Sequence, residues 1–142
     1  MLSERDPQIS DRVPSLIHLP VGIDMISAGD SHSCAVNSRA SLVYFWGVYK
    51  NTNGNMEPPH KKPTRIGEKV FNKQIDKLLS GYNHTMILME QKVYLWGDQD
   101  TKVLGRKSTT RHNIEQCLSP AALGVKSVVD VFTGGFHSFV KV

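Results

Sequence analysis

Cysteines, long apolar runs and charge of one sign are all scarce in this 142-residue sequence, and each scarcity removes a class of protein. The two cysteines, Cys34 and Cys117, lie far apart and lack metal-ligand spacing. They read as free thiols in a reducing compartment rather than as a disulfide scaffold or a zinc module. No apolar run approaches the roughly eighteen residues that span a bilayer. Glu4, Arg5 and Asp6 stand where an export signal needs an apolar core, so neither a membrane partner nor secretion is expected. A net charge of +4 is a mild basic excess that favours acidic partners slightly and does not single out nucleic acid. Catalytic signatures are missing too. Gly105-Arg106-Lys107-Ser108-Thr109 has Arg106 where a phosphate loop needs glycine, and Asp98-Gln99-Asp100-Thr101-Lys102 has Lys102 where a calcium loop needs a ligand. No serine lies in a nucleophile elbow, and Cys34 has no local activating pattern. Covalent chemistry, a cofactor, a metal and a small-molecule substrate are all unexpected here.

What the sequence does have is repetition. Ile26-Ser27-Ala28-Gly29-Asp30-Ser31-His32 is followed, fourteen residues after its histidine, by Trp46-Gly47. The plan returns as Leu79-Ser80-Gly81-Tyr82-Asn83-His84, with Trp96-Gly97 twelve residues after the histidine, and starts again as Phe132-Thr133-Gly134-Gly135-Phe136-His137. Gly29, Gly81 and Gly134 are 52 and 53 residues apart. A period near fifty in a β-rich chain indicates propeller blades or a related array. The fold class is therefore all-β: an incomplete β-propeller over residues 13–142, with about two blades and part of a third. The units are centred on 24–47, 75–97 and 129–142. Residues 1–12 are polar, contain Pro7 and show no periodicity, so they read as a mobile lead-in.

The residues of one unit make physical sense together. Glycine permits a tight bend or close backbone approach. Histidine can donate from one ring nitrogen and accept at the other, tying neighbouring backbones together. Leu42–Trp46 and Val93–Trp96 are β-branched and aromatic runs suited to buried strands, ended by Gly47 and Gly97. Trp46 and Trp96 read as core residues. Strands are expected over Leu16–Leu19, Asp24–Ile26, Ser33–Asn37, Ile75–Leu79, Met86–Met89 and Lys92–Trp96, with turns at Asn37–Ser41 and Glu90-Gln91. Lys50–Thr64, punctuated by Asn53-Gly54, Pro58-Pro59 and Pro63, reads as a connecting loop, and Lys107–Gln116 as another. Val125–Phe132 leads into the third bend, and Phe139–Val142 begins a further strand. One blade face is thus open at each end, which fits a piece of a larger ring, a self-associating chain or a marginally stable one.

These residues resemble the regulator of chromosome condensation family, seven-bladed propellers with blades of about this length. Ser27–His32, Trp46-Gly47 with Asn53-Gly54-Asn55-Met56, and Leu104-Gly105-Arg106 are similar to the second and third repeats of its founding member, and the likeness covers about residues 13 to 142. The resemblance implies a chromatin-associated, nuclear guanine-nucleotide exchange factor for the small GTPase Ran, acting without covalent chemistry. It also implies that Asp30 lies on the face that meets Ran; from the residues alone Asp30 reads first as a turn aspartate accepting backbone hydrogen bonds, and only the resemblance brings the two readings level. Asn83 falls where the family usually has a second aspartate, keeping the shape without the charge. The family also carries a β-hairpin wedge before the bend placed here at Gly134. The 37 residues from Gly97 to Gly134, against 34 from Gly47 to Gly81, leave no evident room for one.

Two further sets of residues invite a functional reading. His32, His84 and His137 recur once per unit, which places them on different blades and favours structural hydrogen bonding over a metal site. Lys61, Lys62, Arg65, Lys69, Lys73 and Lys77 form the densest basic stretch. It could meet DNA phosphate or an acidic histone face, but the interleaved Glu68 and Asp76 favour a solvated edge. The alternative to an exchange factor is a propeller scaffold or protein-binding module that has lost exchange activity, or a truncated remnant.

Overall fold

The computed structural model describes residues 14–48, 60–97, 117–118, 120–121 and 123–142. The lead-in at 1–12, the Asn53–Met56 segment, Leu104-Gly105-Arg106 and the loop at 107–116 lie outside the described residues. Among the described residues there is no helix, and the strands form three antiparallel sheets. The first sheet is β1 (Met25–Ala28), β2 (His32–Asn37), β3 (Leu42–Gly47) and β4 (His60–Ile66), in that order. The second is β5 (Lys77–Ser80), β6 (His84–Met89), β7 (Lys92–Gly97) and β8 (Cys117–Leu118), and β9 (Asp130–Thr133) pairs β10 (Ser138–Lys141) in the third. These are up-and-down blades of a partial propeller.

The registers of the sheets superpose. Met25 opposes Val36 where Lys77 opposes Leu88 and Asp130 opposes Lys141. Each bend closes through the same bond, from Gly29, Gly81 and Gly134 N–H to the carbonyls of His32, His84 and His137, all at 2.9 Å. The second hairpin turns through Glu90 and Gln91, with φ of 50° and 60°. Positive φ at both central residues matches the right-handed twist of the flanking strands.

Alternation on each strand sends side chains to opposite blade faces. Cys34, Val36, Val43 and Phe45 of the first blade meet Phe71, Ile75, Leu78, Ile87, Met89, Tyr94 and Trp96 around the second. The second blade turns Met86, Leu88, Val93 and Leu95 to Val128 and Val131 of the third unit. It is covered on both faces, and every residue of β6 is buried.

Two expectations need correction. Leu16–Leu19 forms no strand: Leu16 and Ile17 are exposed and have no ladder partner among the described residues. Lys50–Thr64 is not a loop to its end, because β4 begins at His60 and pairs with β3. Pro63 looked like a breaker, yet it falls at the register irregularity of the outer strand β4, where the ladder with β3 passes from Thr64 to His60. Trp96 is buried, whereas Trp46 is only half-buried, because no blade among the described residues covers the face it serves.

Candidate protein-docking face

The bends gather at one end of the inner strands. Ala28, Gly29 and Asp30, then Ser80, Gly81 and Tyr82, then Gly134 and Gly135 surround a cavity of about 410 Å³. Gly-x-x-His has a steric origin here. A Cβ on Gly29 would sit 2.1 Å from the His32 ring and 2.4 Å from the Gly81 carbonyl, and a Cβ on Gly81 2.0 Å from His84 and 2.7 Å from the Gly134 carbonyl. The imidazole folds back over its own glycine while the next blade presses from the other side. Trp-Gly follows the same logic. Gly47 and Gly97 have φ of +98° and +131°, and a Cβ there would meet the Ser31 or Asn83 carbonyl at 2.3 Å. Only glycine takes such a backbone without strain.

The histidines then stitch blade to blade. His32 Nε2 lies 3.1 Å from Thr85 Oγ1, and His84 Nε2 lies 3.2 Å from Ser138 Oγ. Burial pushes both imidazoles down to about 4, with the next histidine in the series adding to the effect, so they are neutral at physiological pH. Phe45 stacks on His32 at 5.7 Å. Cys34 Sγ lies 3.9 Å from Thr85 Oγ1, and burial raises its thiol to about 12, which makes it inert. His137 is exposed and packs edge-on to Phe139 at 5.1 Å. The three rings are not assembled around one point.

A backbone ladder joins the bends. Asp30 N–H donates to the Tyr82 carbonyl at 3.0 Å, and Tyr82 N–H to the Gly135 carbonyl at 2.9 Å. In register, Asp30 therefore corresponds to Tyr82 and Gly135, while Asn83 corresponds to Ser31 and Phe136. Asp30 is exposed on the cavity rim, and Ser31 Oγ donates to its carboxylate at 3.5 Å. Asn83 is half-buried on the neighbouring bend. The structure thus places Asp30 and Asn83 on adjacent bends of one face.

Sequence reasoning overlooked two residues of this face. Tyr82 and Phe136 meet edge-to-face at 4.9 Å although both are more than half exposed. The available signal was aromatic residues at bend positions that no core needs. An exposed aromatic pair beside a carboxylate is a composition suited to protein contact. The basic stretch, by contrast, does not form one patch. Lys77 turns inward to Asp130 at 2.7 Å and to the Val131 carbonyl at 3.0 Å, and its ammonium sits 4.4 Å over the Phe132 ring. Lys61, Lys62 and Arg65 lie on the outer strand β4, where charge and proline guard an exposed edge.

Comparison with known proteins agrees with this architecture. The pattern of the regulator of chromosome condensation (RCC1) repeat matches residues 90–140. The chain is 26% identical to the human regulator of chromosome condensation, over 92% of this chain and 35% of that protein. It is 28% identical to fission yeast protein pim1, over 88% of this chain and 23% of that one. The chain therefore spans about a third or less of the curated relatives it matches. Among solved structures, Prp20p of Saccharomyces cerevisiae, described with its binding to Gsp1p and histones, superposes with a TM-score of 0.66 at 26% identity, over 83% of this chain and 28% of that one. Yeast RCC1 (Prp20) bound to Kap60 gives 0.64 at 29%, over 82% and 26%.

Proposed function

We propose that this chain, a member of the regulator of chromosome condensation family, presents its bend face to a Ran-type small GTPase as part of a nuclear, chromatin-associated exchange factor. The observation that carries the reading is Asp30. Its backbone is committed to the inter-blade ladder, while its carboxylate stands exposed at the cavity rim beside the Tyr82–Phe136 pair. A carboxylate so placed engages basic groups of the GTPase and favours its nucleotide-free state, with Asn83 contacting from the next bend. The binding of Prp20p to Gsp1p and histones supports a GTPase and a histone surface as partners.

The second reading is a binding module without exchange activity, favoured by the uncharged amide of Asn83. The test measures binding to nucleotide-free Ran and release of a fluorescent GDP from Ran. Saturable binding, weakened at least about tenfold by Asp30→Ala, supports the GTPase contact. No binding, or equal binding by the variant, refutes it. Binding without faster release favours the module.

A further inference from the structure

The two adjacent glycines of the third bend answer to different neighbours. Gly134 lies under its own histidine: a Cβ there would sit 2.4 Å from His137 Nε2. Gly135 answers to the bend before it. A Cβ on Gly135 would lie 3.1 Å from Tyr82 Cε2 and Cζ and 3.2 Å from Cδ2. Three consecutive ring atoms at nearly equal distance mean an approach onto the face of the ring, because an approach at its edge would bring one atom distinctly nearer. The Tyr82 phenol therefore lies flat over Gly135, in space that a side chain on that residue would contest.

Tyr82 is held in two further ways. Its N–H donates to the Gly135 carbonyl at 2.9 Å, and its carbonyl accepts from the Asp30 N–H at 3.0 Å. Its ring meets that of Phe136 at 4.9 Å, with 82° between the planes. Despite these contacts Tyr82 is 51% exposed. Its bend is the middle one, bonded to a bend on either side, so this exposure belongs to the face and not to an end of the array. A ring seated in this way offers contact area at little cost in conformational entropy, the property that makes tyrosine a frequent centre of binding energy.

We propose that Tyr82 is the uncharged anchor of the bend face and sets how long a bound GTPase stays. The ring rests on Gly135 and Phe136, neither of which has a polar side-chain atom, so the partner surface it fits is an apolar patch. The proposal rests on the GTPase reading above and adds a residue to it that carries no charge. Contacts of this kind act mainly on dissociation, and salt does not screen them.

Association and dissociation rates with nucleotide-free Ran, read by surface plasmon resonance at low and high salt, test this. Tyr82→Ala should speed dissociation at least about tenfold at both salt concentrations and leave association nearly unchanged. Tyr82→Phe keeps the ring and should stay within about threefold of the parent. Gly135→Ala removes no contacting side chain but lifts the ring from its seat, and should speed dissociation by an intermediate factor. Tyr82 enters the ladder through its backbone alone, so the binding-competent fraction and circular dichroism of the variants should match the parent. A parent chain that does not bind Ran overturns this proposal together with the GTPase reading. Binding by the parent that Tyr82→Ala leaves unchanged, or a loss that disappears at high salt, overturns this proposal alone. A loss with Tyr82→Ala but none with Asp30→Ala refutes the Asp30 contact and supports the anchor. Gly135→Ala indistinguishable from the parent overturns the seating of the ring.

Discussion

Mild acid should destabilise this chain before its carboxylates titrate. His32 and His84 are held neutral by burial, with folded values near 4 against an ordinary 6.5. Between those values the unfolded chain takes up protons that the folded chain refuses, so stability falls as pH drops from about 6.5 to about 4 and is fully present above that window. At about pH 5 the difference is at most about 2 kcal/mol per ring, hence about 2 to 4 kcal/mol for the pair. That is a large share of the roughly 5–15 kcal/mol typical of a domain. With an m-value of about 2 kcal/mol per molar, the urea midpoint should drop by about 1–2 M. Asp24 and Asp130 do not confuse the result. Hydrogen bonds from Ser38 and Lys77 respectively hold them below 3.8, so their contribution is lost only as pH falls beneath that value. Urea titrations followed by tryptophan fluorescence at a series of pH values are the assay. His84→Gln retains a partner for Ser138 without titrating, and should remove about half of the pH dependence. A midpoint that is flat from neutrality to pH 5 would refute the assignment of neutral, load-carrying imidazoles.

Two other outcomes follow from the packing. Gly81→Ala puts a methyl into the His84 ring and the Gly134 carbonyl and should cost about 1–3 kcal/mol in urea unfolding. Gly22→Ala, with nothing within 4 Å, should fall within about 0.5 kcal/mol of the parent, and equal effects would refute the steric account. Cys34 should resist iodoacetamide until the chain unfolds, as read by peptide mapping; prompt alkylation of the native protein would contradict its burial.

The fold was legible in the sequence because its repeated residues answer to backbone geometry. Glycine under a folded-back imidazole, and glycine at positive φ opposite it, tolerate almost no substitution, so they mark each unit plainly. The outer strand β4 was hidden for the opposite reason. Its residues face solvent and guard an edge, so proline and lysine replace the alternating pattern by which inner strands are recognised. Leu16–Leu19 misled in the reverse direction. Its apolar residues belong to a blade wall and never enter a ladder. The candidate face was half legible. Asp30 came from resemblance, whereas Tyr82 and Phe136 could be placed only once the bends were seen side by side.

That difference has a structural cause. In each Gly-x-x-His bend the glycine and histidine are dictated by contact, while the first intervening residue enters the junction ladder through its N–H and carbonyl. Asp30, Tyr82 and Gly135 make equivalent ladder positions with a carboxylate, a phenol and no side chain at all. Ser31, Asn83 and Phe136 vary as widely. A position whose ladder bonds are fixed while its side chain differs from bend to bend is where chemistry can change while the ladder persists. The bends place these positions side by side on one face, rigidly held by bonds of about 3 Å between blades. The face therefore varies at the residues that repeat least, and the residues that repeat best hold it still.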